Sequence, residues 1–549
     1  MKLKNPVSVN TDVLVIGGGG AGLMAAIEAR KSGCDVLLVS KSRAGYGNNT
    51  AISMAMFAAS GSDREPRDNP LAHLKDTVIA GCYLNNQELA DVMARGAWQQ
   101  VNNLKDMGVE FKKSADTHLW IMAVPGHRYP RHISANRTLG VELSAPMRTY
   151  ADKIGVRFMD GVEVTGLLCN QGEALGALCL DARGNVHVLW SAATVLATGG
   201  AGEIFLRTNN APGSMGDGFA FCYEAGIPIV DIELVQFYPT TFGKHGGRLW
   251  PYEVIVGRGA TLRNSLGEDV LIKHNLRDLM IMTRDKLARA MMQEILAGND
   301  IEGCLRVDLS TVPEDKKEKV LQVIKTQRYP AEAMVAPAAH YFMGGVVINR
   351  NCETGMKRLF AAGEVCGGIH GANRLAGNAL TDVFVFGAIA GRQAALVDPG
   401  QRREIPALTK AAQDRLEQKG NQGGESLEEL EINLRGTMWE KAGIVRSAKS
   451  LNAALAEVKA GREQLTRVRV AGAADLIKLT KLENMFLVAE MVCRAALLRT
   501  ESRGAHYRTD YPEENDREWL KNIVITRKAD RMELSARPVA GPIIPLPVT

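Results

Sequence analysis

The tightest constraint on this chain lies near its start. The apolar run Val13-Leu14-Val15-Ile16 enters Gly17-Gly18-Gly19-Gly20-Ala21-Gly22, and an Ala-rich helical pattern leaves it. Gly17, Gly19 and Gly22 keep the G-x-G-x-x-G spacing, which brings bare backbone N–H groups and a helix N-terminus up to a pyrophosphate. The residues from Cys34 to Lys41 read as a second buried strand, completing a βαβ unit of roughly 30 residues. A glycine turn without a ligand is the alternative, and the order strand, turn, helix, strand argues against it. The acidic residue expected at the end of the second strand is replaced by Ser40, a weaker partner for a ribose hydroxyl.

With 549 residues the chain is too long for one core, so two or three domains are expected. A formal net charge of +5 without a dense Lys/Arg block excludes nucleic acid as the expected partner. The cysteines are scattered singly with no C-x-x-C pair, which argues against an iron–sulfur or zinc site within the chain and for a reducing compartment. No apolar run reaches the roughly 18 residues of a membrane span. Lys2 and Lys4 precede an apolar stretch as in a signal peptide, but the glycine cluster inside it makes that reading poor. A cytoplasmic location is expected, with any membrane attachment made through a partner.

The first part alternates strands and helices. Val156 to Met159 and Gly176 to Leu180 read as strands, and the latter forms a hairpin with Val186 to Trp190. A further strand, Ala193 to Ala197, runs into a second glycine cluster at Gly199-Gly200. The middle section carries two charged helices, one over about Arg284 to Leu296 and one containing Pro313 to Lys317. From Gly345 the pattern returns to strand, glycine turn and helix, and from Ser426 it is helical, including Ala473 to Leu498. The tail after Ser535 reads as an extended arm.

Several positions carry chemistry or a plainer alternative. Asp217 opens a helical pattern as a cap or a cofactor contact. Arg284 and Asp285 mark a helix start, where a solvated pair is the plain reading. His340 sits among small and apolar residues, as a core histidine would. Glu364 follows the strand Arg358 to Ala362, where a ribose would be held. Arg374 lies in the loop Ile369 to Leu380 as a carboxylate clamp or a solvated side chain.

Together these motifs resemble one family, the flavoprotein subunits of succinate dehydrogenase and fumarate reductase, with L-aspartate oxidase and adenylylsulfate reductase as relatives. The resemblance rests on Gly17 to Gly22, Val39-Ser40-Lys41, Ala197 to Gly200, Gly216-Asp217-Gly218, Val235 to Thr240, Gly257-Arg258-Gly259, Thr283-Arg284-Asp285, His340 to Gly345, Gly363-Glu364, His370 to Leu380 and Glu501 to Arg508. It implies an α/β fold: a Rossmann-like FAD-binding domain, an inserted α+β capping domain and a C-terminal helical domain. The expected boundaries are 1–236 and 350–405 for the FAD-binding domain, 237–349 for the cap, 406–535 for the helical domain and 536–549 for the tail. By analogy FAD contacts Gly17, Gly19, Gly20, Ala21, Gly22, Ser40, Lys41, Asn48, Asn49, Thr50, Val164, Thr198, Gly199, Asp217, Glu364, Asn378, Ala379 and Leu380. His340 and Arg374 are expected to bind a substrate carboxylate. Arg284 resembles the arginine that delivers a proton to one alkene carbon while flavin N5 delivers hydride to the other. Tyr238 and Arg258 complete the expected catalytic set. The implied role is that of an electron-transport flavoprotein of anaerobic respiration, acting on a small carboxylic acid, with electrons from a separate iron–sulfur subunit.

The chain also departs from the family pattern. Tyr238-Pro239-Thr240 stands where the family has His-Pro-Thr, and Ala260-Thr261 follow Arg258-Gly259 in place of Glu-Gly. The family's Thr-Glu pair is replaced by Val254-Ile255, with Glu253 as a possible proton-relay carboxylate. Gly47-Asn48-Asn49-Thr50 replaces Ser-His-Thr, so FAD is expected to be held non-covalently. Enzymes of adenylylsulfate-reductase or L-aspartate-oxidase type remain as alternatives, as does a non-catalytic electron-transfer flavoprotein. A pyridine-nucleotide-disulfide oxidoreductase would need a redox cysteine pair and a second nucleotide motif.

Overall fold

The computed structural model describes residues 2–277, 283–326, 328–419, 423–540 and 542–546. The N-terminal strand β1 (Val7–Ile16) feeds the glycine turn, helix α1 (Gly20–Lys31) and strand β2 (Val36–Ser40). β1 and β2 pair in parallel, with Val13 opposite Val36 and Ile16 opposite Val39. Val13, Leu14, Val15 and Ile16 are all buried, as a strand covered on both faces requires. Each such side chain contributes about 1.5–3 kcal/mol of burial.

β3 (Arg157–Asp160) adds in parallel to β2. β4 (Val162–Asn170), β5 (Glu173–Asp181) and β6 (Val186–Leu196) form an antiparallel flap that returns β6 parallel to β1. The strand order is β3-β2-β1-β6-β5-β4. β6 is continuous from Val186 to Leu196, although Val186–Trp190 and Ala193–Ala197 read as separate strands in the sequence. The polar step between them holds because Ser191 Oγ bonds Thr194 Oγ1 at 2.9 Å and buried Arg358 donates to the carbonyls of Ser191 and Ala192.

The chain then leaves the sheet to build a second core. β7 (Val235–Phe242) pairs antiparallel with β8 (Met334–Phe342) in a five-stranded sheet. Between them lie the short helix α2 (Glu253–Val256) and helix α3 (Arg284–Leu296), which packs on both strands. Tyr238, Trp250, Tyr252, Leu287 and Met291 belong to this core. The segment 278–282 just before α3, which includes Met280 to Met282, lies outside the described residues.

The chain re-enters the first sheet as β9 (Leu359–Ala361), parallel to β6. Helix α4 (Asn378–Ala394) packs along α1. Among the helices that follow are α5 (Leu427–Lys441), α6 (Ala448–Leu465) and α7 (Ala473–Leu498). Beyond them the chain ends in a hairpin, β10 (Lys521–Lys528) and β11 (Arg531–Pro538), and β10 pairs with Ile229–Val230. The arm expected over 536–549 begins inside β11. At 544 its backbone exchanges hydrogen bonds with Gln87, while 541 and 547–549 lie outside the described residues.

Candidate active site

Two groups of residues face each other between the parallel sheet and the second core. The first surrounds the glycine turn. Gly17 has φ of 119°, and a Cβ on Gly22 would stand 1.9 Å from the Gly17 carbonyl oxygen, so the turn closes only with glycine there. No side chain caps α1 at Gly19, which leaves its N-terminal dipole open to an anion. Thr50 Oγ1 accepts from Gly20 N–H at 3.0 Å, and Asn48 Nδ2 donates to the Gly18 carbonyl at 3.2 Å. Ser40 is buried beside the same turn.

Asn49 reaches the other way. Its amide nitrogen donates to Glu364 Oε2 at 3.4 Å, and its oxygen accepts from Ala211 N–H at 2.7 Å. Glu364 Oε1 accepts from Phe342 N–H at 3.1 Å, and burial pushes the carboxyl up to about 7. Thr198 Oγ1 is buried with no partner among the described residues. Gly199 follows it in the turn after β6, and Val164 is half-buried on β4.

α4 begins at Gly377, whose φ is 80° and which offers no side-chain cap. A Cβ on Gly377 would meet His132 Nε2 at 2.4 Å. His127 and His132 both place Nε2 on the Ala376 carbonyl, at 2.8 and 3.0 Å, and so fix this helix start from behind. Ala379 and Leu380 lie in its first turn.

These features fit FAD: an orphaned buried hydroxyl, a glycine cradle and two uncapped helix N-termini beside a carboxylate. Lys41, Asp217 and Asn378, like Asn48, Asn49, Thr50 and Glu364, also hydrogen-bond within the protein. Lys41 Nζ donates to Asp217 Oδ2 at 2.9 Å and to the Gly213 carbonyl, and Asn484 holds the other Asp217 oxygen at 3.0 Å. Asn378 turns its side chain to His73 and to Thr77, at 2.8 and 2.9 Å.

The second group carries the charges. β7 and β8 lose register between Gln236–Tyr341 and Phe237–Ala339, which leaves His340 as the extra residue of a β-bulge. The bulge turns His340 away from Tyr341. Its Nδ1 is held 3.0 Å from the Asn209 amide, and its ring lies 5.5 Å from that of Tyr238. Burial, then Arg374 and Arg284, hold its pKa well below the ordinary value, so the ring is neutral.

Arg284 opens α3, with its guanidinium 5.2 Å from the Tyr238 ring and 5.0 Å from the Tyr252 ring. Burial alone would lower its pKa. Tyr252, Tyr238 and Glu253 outweigh burial and raise it. Glu253 is itself pushed up by burial against the pull of Arg284 and half-buried Arg258.

Arg374 is buried. Its Nη2 donates to Gln236 Oε1 at 2.8 Å, its guanidinium lies 4.8 Å over the Tyr341 ring, and its Nε has no partner among the described residues. Burial, reinforced by Arg284, lowers its pKa to about 10, and it remains charged at neutral pH. Behind it the Tyr341 hydroxyl donates to Asp382 Oδ2 at 2.9 Å, and His370 Nε2 lies 3.3 Å from the same oxygen.

Arg284, His340, Arg374 and Tyr238 therefore converge, while Arg258 enters one step removed, through Glu253. Sequence reasoning passed over Tyr252, Asn209, Gln236 and Asn373. Tyr252 sits next to Glu253, and that adjacency was its only signal. The other three are neutral residues whose roles come from partners distant in the chain.

The profile described as FAD binding domain matches residues 12–380, and that described as fumarate reductase flavoprotein C-term matches 431–547. An uncharacterised FAD-dependent oxidoreductase of Methanocaldococcus jannaschii is 35% identical over 530 residues, covering 95% of this chain and 97% of the relative. One subunit of a fumarate reductase (CoM/CoB) from Methanothermobacter marburgensis is 34% identical over 541 residues, covering 94% of this chain and 97% of the relative. A solved E. coli quinol fumarate reductase variant superposes with a TM-score of 0.88 at 27% identity, over 98% of each chain.

Proposed function

Because the chain belongs to the family of fumarate reductase and succinate dehydrogenase flavoprotein subunits, and is thus an FAD-dependent oxidoreductase, we propose that it reduces the C=C bond of an α,β-unsaturated carboxylic acid. The observation that carries this reading is the pairing of two guanidiniums, buried Arg374 with an Nε that has no partner among the described residues and half-buried Arg284 flanked by the Tyr238 and Tyr252 rings.

Arg374 takes the substrate carboxylate through its unpartnered edge, and neutral His340 offers Nε2 because Asn209 occupies Nδ1. A charge-assisted clamp of this kind draws electron density toward the carboxylate and leaves the β-carbon electrophilic. Arg284 donates the proton to the α-carbon. Glu253, held partly toward its neutral form, returns a proton to Arg284, with Arg258 on its far side. Reduced FAD, when bound, supplies the hydride. Fixed placement of these groups contributes to the rate by holding the reacting atoms in position.

The relative from Methanothermobacter is named as one subunit of its enzyme. By analogy we assign electron delivery here to a separate iron–sulfur protein. No helix among the described residues is long and apolar enough to cross a membrane; by the same analogy we assign any membrane association to that partner.

The test is anaerobic. The flavin of the purified holoprotein is reduced chemically, excess reductant is removed, and fumarate, crotonate and cinnamate are added in turn while oxidised-flavin absorbance is followed. Reoxidation by at least one acid is expected, and Arg284→Gln should abolish it with flavin still bound. A reduced flavin stable to all three acids overturns the reading.

A further inference from the structure

We propose that Tyr238 and Tyr252 select a monocarboxylic substrate, an α,β-unsaturated acid whose β-carbon carries an aromatic or alkyl group, over a dicarboxylate. This deepens the proposed function and rests on it.

The first argument is the wall of the site. Tyr238 and Tyr252 are both buried, and their rings meet edge to face at 89° with centroids 5.7 Å apart. Tyr238 also touches the His340 ring, and both phenols flank the Arg284 guanidinium. A substrate clamped by Arg374 and placed for protonation by Arg284 therefore extends its far end against two aromatic faces. Val254 and Ile255 are buried in the same apolar core behind them. Such a wall favours a flat or apolar substituent, which it can stack on or cover without stripping a charge of water.

The second argument is charge. Among the described residues, Arg374 hydrogen-bonds only neutral acceptors, Gln236 and the Leu375 carbonyl. Glu364 and Asp382 favour its cation without hydrogen-bonding it, so the Nε is the atom left for one substrate carboxylate. Arg284 lies 5.2 and 5.0 Å from the centroids of the Tyr238 and Tyr252 rings, and His340 is neutral. A second substrate carboxylate at that end would lie against the two phenol rings and lose its water there, a cost that a neutral substituent avoids.

The reaction balances as for any enoate. The C=C π bond is lost and two C–H bonds form. The hydride, one hydrogen with the electron pair, comes from the reduced flavin, which is oxidised, and the proton comes from Arg284, which recovers one through Glu253.

The experiment compares the FAD holoprotein with Tyr238→His and Tyr238→Phe. Anaerobic stopped-flow reoxidation gives kcat/KM for cinnamate, crotonate and fumarate. Perturbation of the oxidised-flavin spectrum gives Kd for 3-phenylpropanoate and succinate, independently of turnover. The expected result is a preference of at least tenfold for a monocarboxylate in both measurements. Tyr238→Phe should retain it, and Tyr238→His should shift it at least tenfold toward fumarate and succinate. Equal or better use of fumarate by the unaltered protein overturns this inference and leaves the enoate reading standing. A preference unmoved by Tyr238→His, in a variant that still binds FAD, overturns the role of the ring. Failure of every acid to reoxidise the flavin and to bind overturns both.

Discussion

Asn373 donates its amide to Asp285 Oδ1 at 3.1 Å, and each of these residues is the chain neighbour of one of the two site arginines. Asp285 follows Arg284 at the start of α3, in the second core. Asn373 precedes Arg374 in the loop before α4. Asn373 is bonded onward to Gln236, which accepts from Arg374. A single path of hydrogen bonds thus joins the helix that Arg284 opens to Arg374 and fixes the spacing between them. Removing the acceptor with Asp285→Ala leaves a half-buried amide unpaired, a loss of about 1–2 kcal/mol. The expected effect is a fall of about tenfold in kcat/KM with FAD content unchanged, and Asp285→Asn should restore most of it. Steady-state kinetics beside the flavin-to-protein absorbance ratio checks both.

Gly22 admits no side chain, since its Cβ would lie 1.9 Å from a backbone oxygen that cannot swing aside. Overpacking of this kind costs about 1–3 kcal/mol. Gly22→Ala should weaken FAD by about ten- to a hundredfold and leave the purified protein largely colourless. Titration of the flavin-free protein with FAD would show it, and an unchanged Kd would mean that the turn does not hold the cofactor.

Asn209 fixes Nδ1 of His340, and that contact decides which ring nitrogen faces the substrate. Asn209→Ala should raise KM for the preferred acid by about fivefold, the weight of one hydrogen bond, with kcat changing less. An unchanged KM would separate His340 from substrate binding.

Glu294 anchors the far end of α3. Burial would raise its pKa, but Asn264, His274, Lys273 and Asn299 hydrogen-bond its carboxylate and bring it down to about 2. A carboxyl whose folded pKa lies below its unfolded one stabilises the fold above the unfolded pKa, near 4.5. That stability is lost as pH falls from there through the folded pKa near 2. Up to about 3 kcal/mol is at stake. Denaturant unfolding of the wild-type protein should weaken over that window, and Glu294→Gln should be less stable at neutral pH with a flatter acid limb.

Much of the scaffold was legible in the chain. The spacing of Gly17, Gly19 and Gly22 between β1 and α1 states its own geometry, because a glycine turn and a buried strand are local events. The helices Arg284–Leu296 and Ala473–Leu498 fell where their patterns placed them. The cofactor and the family were legible because many motifs recur in one order. The continuity of β6 was not, since a Ser in a buried strand reads as a break until Thr194 and Arg358 are seen to satisfy it. Lys41 and Asp217 each read as cofactor contacts, and their bond to one another became visible only across 176 positions.

The sequence by itself determined which groups were available: two arginines, a histidine, a glycine cradle, and Tyr238 where the family has a histidine. Tertiary structure decided what those groups do. A bulge of one residue aims His340, two rings from different elements close on the Arg284 guanidinium, and Arg374 keeps an Nε without a partner among the described residues. The physical reason is range. Backbone conformation and periodicity are set by neighbours a few residues apart, whereas charge compensation and desolvation depend on everything within a few ångströms, whatever its place in the chain.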